Sequence, residues 1–246
     1  MSFEEIAKII NANPTNKFIY EHLDEKTIDI ILEILEKLDA NEFKEINPQA
    51  SFTFDDLPIP YEKLTEANSS NVTYSKEIEE KLSELLSKIN QEGTNVEYSY
   101  AFAGRPNRQE TYSKMKQMSI GKKQTCSYDW KWIEEYIKKC PDNINLALFH
   151  THPNPLDKQF VTLFNQHSEL FESLGVKPNG LNLSLADIFA TIYLDDLIKK
   201  YNKNITSQSS VLMYDGNLIT FSTSEGIKVE STQKIEEYQT TENCTI

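Results

Sequence analysis

Three observations predict a mixed α/β chain, a sheet flanked by helices in the α+β manner. Apolar residues recur at three- and four-residue spacing over 25–39 and 75–91, the period of amphipathic helices. From residue 96 the texture changes to runs rich in strand formers, first Val96-Glu97-Tyr98-Ser99-Tyr100-Ala101-Phe102-Ala103 and later Asn145-Leu146-Ala147-Leu148-Phe149-His150. Near the end, Asp215-Gly216-Asn217 separates two further strand-like runs, which is a strong hairpin signal.

Taken in chain order, 3–12 and 25–39 read as helices. Residues 41–64 carry Pro48, Pro58 and Pro60 without a sustained period, as a linker or an extended strap would. A small helical N-terminal region over 1–64 is therefore expected ahead of a main domain at 65–224. That domain opens with a helix over 75–91, stopped by Gly93. Gly104-Arg105-Pro106-Asn107 turns the first strand, and Thr111 to Ile120 is the candidate return strand. Residues 127–139 read as a helix with an aromatic face bearing Tyr128, Trp130, Trp132 and Tyr136, suited to core packing or partner docking. The apolar run 145–150 reads as a buried strand, followed by helices over 156–174 and 184–200. The closing hairpin spans 210–221, and 225–246 reads as a polar C-terminal tail.

The composition sets limits on function. With 246 residues, 39% apolar, the chain can bury a sizeable core. Its formal charge of −13 argues against nucleic acid or an anionic membrane as the main partner. No apolar run approaches the roughly 20 residues of a membrane helix, and Met1-Ser2-Phe3-Glu4-Glu5 lacks the basic start of a signal peptide. Cys126, Cys140 and Cys244 form neither a zinc knuckle nor a disulfide framework. A cytoplasmic protein is expected, or an effector exported without a cleaved signal.

Of four histidines, two share the window His150-Thr151-His152. Side chains at i and i+2 of a strand point to one face, so two imidazoles there can converge on one ion. Zinc needs at least one more ligand, and Asp187, in the first turn of the helix expected at 184–200, is the candidate. Simpler readings stand beside this one. His-x-His could be a solvated strand end, and Ser184-x-x-Asp187 also reads as a helix cap with an acid favoured by the N-terminal dipole. A capped helix start also holds a ligand rigidly, so the two readings are compatible. His22 and His167 read as structural or exposed.

Phe149-His150-Thr151-His152-Pro153, followed by Ser184-x-x-Asp187 and preceded by a strand opening on Glu97-Tyr98, resembles the motif of the JAMM (MPN-domain) zinc metalloproteases, in particular their bacterial JAB-like branch. The resemblance spans roughly 75–222. It implies Zn2+ held by His150, His152 and Asp187, with Ser184 donating to the oxyanion and Glu97 as general base. Glu110, close to Arg108, is the alternative base, and a strand-edge charge is the plain reading of Glu97. The implied reaction is metal-assisted hydrolysis of an amide or isopeptide bond, with a ubiquitin-like conjugate as an attractive protein substrate and no part for the cysteines. One departure is plain: 31 residues, Pro153 to Leu183, separate His152 from Ser184, where the family has a short spacer. An insertion at about 153–183 is expected to form a lid or substrate-binding element. The competing expectations are a catalytically inactive MPN-like protein-binding scaffold and, last, another metallohydrolase such as a phosphoesterase.

Overall fold

The computed structural model describes residues 29, 58–59, 72–91, 96–106, 108–123, 127–153, 168–173, 183–223 and 226–237. The helices expected over 3–12 and 25–39 lie outside the described residues, Asp29 excepted, as do Gly93, His22 and His167.

The fold is mixed α and β. Strand β1 (Pro58–Ile59) is followed by α1 (Lys76–Ile89), β2 (Val96–Gly104), β3 (Lys114–Lys123), α2 (Trp130–Lys139) and β4 (Ile144–His152). Then come α3 (Ser168–Ser173), β5 (Leu183–Ser184), α4 (Leu185–Lys200), β6 (Ile205–Met213), β7 (Asn217–Ser222) and β8 (Lys228–Lys234). A six-stranded sheet has the order β3-β2-β4-β6-β7-β8, and β1 pairs separately with β5. Within the large sheet β4 and β6 are parallel, and the other neighbours are antiparallel. Parallel neighbours need a crossover, and α4 lies on the one joining β4 to β6.

Each face of the sheet is covered by helix. In α1, Ile78, Leu82, Leu85, Leu86 and Ile89 share a buried stripe, which packs on Tyr100, Phe102, Phe149, Leu212 and Leu218. The Phe102 and Phe149 rings stack with centroids 4.9 Å apart. Across the sheet, Ile133 and Ile137 of α2 and Leu194, Leu197 and Ile198 of α4 pack on Ile144, Leu146, Leu148 and Ile205. Strand β4 is thus buried on both sides, as its continuous apolar run requires. Its alternation sends Ala147 and Phe149 toward α1, and Ile144, Leu146 and Leu148 toward α2 and α4. Continued by two positions each, that period carries His150 and His152 to the α2/α4 face at the strand's C-terminal end.

Several boundaries differ from the sequence expectation for physical reasons. The return strand begins at Lys114, because Tyr112 is drawn into a separate bridge with Tyr74. Its ring is fully buried and stacks on Tyr74 at 5.8 Å. Gly104 admits this turn: a Cβ there would stand 2.0 Å from the Thr111 carbonyl oxygen. Helix α2 begins at Trp130 because the Asp129 carboxylate accepts from the Trp132 amide at 3.0 Å, so Tyr128 precedes the helix. Of the helix expected over 156–174, only Ser168–Ser173 falls among the described residues.

The hairpin turns at Gly216, whose φ is 86°. The stretch 225–246, expected as a tail, supplies β8, paired along β7. Its run Lys-Val-Glu-Ser-Thr-Gln-Lys holds one apolar residue, Val229, buried beside Ser231, so composition alone conceals the strand. Among the described residues no helix is long and apolar enough to cross a membrane.

Candidate metal centre

Two backbone elements meet at the end of β4. One is the strand itself, delivering His150 and His152; the other is the N-terminus of α4, delivering Asp187. The helix start is fixed by a reciprocal cap. Ser184 Oγ accepts from the Asp187 amide at 3.3 Å, and Asp187 Oδ2 accepts from the Ser184 amide at 2.6 Å. This capping box satisfies helix-end donors and freezes the Asp187 rotamer. The capping and ligand readings of Ser184-x-x-Asp187 therefore coexist in one geometry.

That rotamer aims the carboxylate at the imidazoles. Asp187 Oδ1 is 2.8 Å from His150 Nε2, Asp187 Oδ2 is 3.5 Å from His152 Nε2, and the two Nε2 atoms are 3.0 Å apart. His150 is 4% exposed and Asp187 8%, which removes the reading of a solvated strand end. Burial pushes the Asp187 carboxyl up, but the charges and hydrogen bonds of His150 and His152 outweigh it and hold the group well below the usual carboxylate range.

His150 and Asp187 are buried and His152 half-buried, and a shared cation could take the place of the imidazole protons that otherwise hold the carboxylate. Ligand atoms about 2.0–2.2 Å from a tetrahedral divalent ion lie about 3.3 Å from each other. The Nε2–Nε2 separation of 3.0 Å and the Oδ1–Nε2 separation of 2.8 Å are of that order, while the 3.5 Å contact to His152 involves the other carboxylate oxygen. His150, His152 and Asp187 could hold a metal ion, with their ligand atoms all within 4.8 Å of one another.

The surroundings orient this set. Tyr128 Oη lies 3.1 Å from His150 Nδ1. When Nε2 faces a cation the proton sits on Nδ1, so the imidazole donates to the tyrosine oxygen and its tautomer is fixed. Tyr128 is itself placed by β2 and β3, because the hydroxyls of Ser99 and Ser119 both donate to the Ser127 carbonyl, at 2.7 and 2.9 Å. Thr151, between the histidines, points to the opposite face, where its hydroxyl accepts from the Tyr98 amide at 3.0 Å. That bond ties the start of β2 to the end of β4 that carries the two histidines.

The two candidate bases are placed differently. Ser99 pairs with His150, and Glu97 lies two residues earlier on β2, on the same face by strand alternation. Glu97 is half-buried. Glu110 adjoins Thr111, which abuts Gly104, and Gly104 pairs with Asn145. At about 3.3 Å per residue, that end of β4 is roughly 17 Å from His150. The structure thus brings His150, His152, Asp187 and Ser184 together, sets Glu97 at the same end and on the same face, and sets Glu110 apart.

Sequence reasoning missed Tyr128 and Thr151. Asp129 as a helix cap was the available signal for the first, since it removes Tyr128 from the helix and frees its hydroxyl. Tyr128→Phe is expected to leave the fold intact and weaken metal binding about 10- to 100-fold, measured by competition with a chromogenic chelator. Unchanged affinity would show that the hydroxyl does not set the His150 tautomer.

No protein-family model, curated protein or solved structure matches this chain.

Proposed function

We propose that the chain is a JAMM-like zinc metallopeptidase that hydrolyses an amide or isopeptide bond in a protein substrate, a ubiquitin-like conjugate being the class best suited to the motif. The observation that carries this reading is the convergence of His150, His152 and Asp187 from β4 and α4 across the 31 intervening residues. Two imidazoles and one carboxylate fit zinc by donor type and spacing, and a three-ligand set keeps a position for water. Bound there, zinc would polarise the scissile carbonyl and make hydroxide available near neutral pH.

The remaining work falls to the chain's own side chains. Ser184 Oγ accepts from the Asp187 amide, so its O–H proton points elsewhere and can donate to the oxygen that gains charge. The Glu97 carboxylate, on the same face of the sheet, takes a proton from the attacking water and passes it to the leaving amine nitrogen. Buried Asp187 and His150 keep competing solvent from the ligand atoms.

Glu97→Gln tests this division of labour. The expected outcome is wild-type zinc content with cleavage of a ubiquitin-like isopeptide probe reduced by about 100-fold or more. A variant that keeps wild-type turnover would remove Glu97 from the reaction. If the wild-type chain fails to hold stoichiometric zinc, the reading reverts to a protein-binding scaffold.

A further inference from the structure

We infer that the free edge of β3 is a docking site for an acidic, extended segment of another protein, added to the sheet as a further strand. Strand β3 ends the sheet order, so one row of its backbone N–H and C=O groups has no strand partner among the described residues. Such edges pair readily with another chain, and folded proteins ordinarily keep them short. This one spans 10 residues, Lys114–Lys123.

Its sequence, Lys-Met-Lys-Gln-Met-Ser-Ile-Gly-Lys-Lys, holds four lysines and no acid, within a chain of net charge −13. The turn leading into it carries Arg105 and Arg108, the two arginines of the sequence. Both are exposed and line a depression of about 440 Å³ with Pro106, Pro141, Asp142 and Asn143. The opposite edge, β8, is of mixed sign, with Glu230 between Lys228 and Lys234. The four lysines of β3 therefore make it the positively charged edge of the sheet in an acidic chain.

Lysines on an edge strand also guard against aggregation. Protection explains the charges but not Ile120, which is 65% exposed and is the large exposed apolar side chain among the described residues. A bound segment that continued three residues past Gln117 would lie beside it. Register shifts in the pairing with β2 fall beyond Gln117, so Lys114–Gln117 stays regular and can accept a ladder. A second copy of this chain is the less favourable occupant, because β3 against β3 brings two strands of four lysines and no acid side by side. An Asp/Glu-bearing segment is attracted by the same charges, and main-chain bonds supply the remaining affinity.

The test uses the full chain and a fluorescently labelled peptide of alternating Glu and Thr. Anisotropy should show saturable binding that weakens as ionic strength rises, and amide exchange should slow along Lys114–Gln117. Lys114→Glu/Lys116→Glu should weaken binding by about tenfold or more, with thermal melting unchanged as the fold control. A peptide N-methylated at alternate residues should not bind. Absence of binding, equal binding by the charge-reversed variant, equal binding of the N-methylated peptide, or β3 protection through self-association would each overturn the proposal. His150→Ala/His152→Ala should bind the peptide as the wild type does, so the edge and the metal centre are tested separately.

Discussion

The double variant His150→Ala/His152→Ala is expected to lose stoichiometric zinc and all hydrolysis, and to unfold at a lower temperature. The first effect follows, on the proposed zinc-peptidase reading, from removing two of the three candidate ligands. The second follows from what remains: Asp187, 8% exposed, loses the groups that hold its carboxyl well below the usual range. A buried carboxylate stripped of its partners costs several kcal/mol, about 3–5 by analogy with broken buried ion pairs. Adding Asp187→Asn to the double variant should recover part of that stability, because it removes the uncompensated charge, while zinc uptake stays at zero. Zinc by elemental measurement and melting by circular dichroism separate the two effects. Stoichiometric zinc retained by the double variant, or cleavage that survives in a zinc-free preparation, would sink the assignment of the site.

The acid limit of zinc binding follows from the same charges. Burial raises the Asp187 carboxyl, but the neighbouring imidazoles more than offset it, so the group stays ionised through the ordinary carboxylate range as pH falls. Loss of zinc through protonation of this carboxylate is therefore expected only below that range, which zinc content measured against pH would check.

How much of this was legible in the sequence differs by element. The continuous apolar run of β4, the apolar period of α1, the capped start of α4 and the Asp-Gly turn of the last hairpin each encode their geometry locally, and each was readable. The His-x-His pair was readable for the same reason, since strand alternation is a local rule. What was hidden depends on distant partners. Strand β8 is polar and is recruited by β7; Tyr112 leaves the strand pattern because Tyr74, far away in sequence, buries it. Tyr128 gains its role only when Ser99 and Ser119 position the preceding carbonyl beside β4. The separation of His152 from Asp187 along the chain carried no local sign that they meet; that expectation came from the capped helix start and the motif resemblance. Only the fold, with α4 on the β4-to-β6 crossover, brings the start of that helix over the strand end.

Asp187 itself performs two tasks that substitutions can separate. Its carboxylate faces both imidazoles, and its Oδ2 also accepts from the Ser184 amide. Asp187→Asn keeps an oxygen for that amide and an acceptable shape, so α4 should start where it does now. It removes the charge, and zinc affinity should fall by more than the roughly 10- to 100-fold typical of losing an outer partner. Asp187→Ala removes the cap as well. Losing the hydrogen bond to the Ser184 amide and the acid at the positive helix end should cost about 1–2 kcal/mol beyond the Asn variant. The expected order is therefore wild type above Asn above Ala for stability without metal, with Asn and Ala nearly equal in failing to hold zinc. Affinity near wild type in the Asn variant would show that the carboxylate serves the helix cap alone, and the convergence on His150 and His152 would then be a structural ion pair rather than a metal centre.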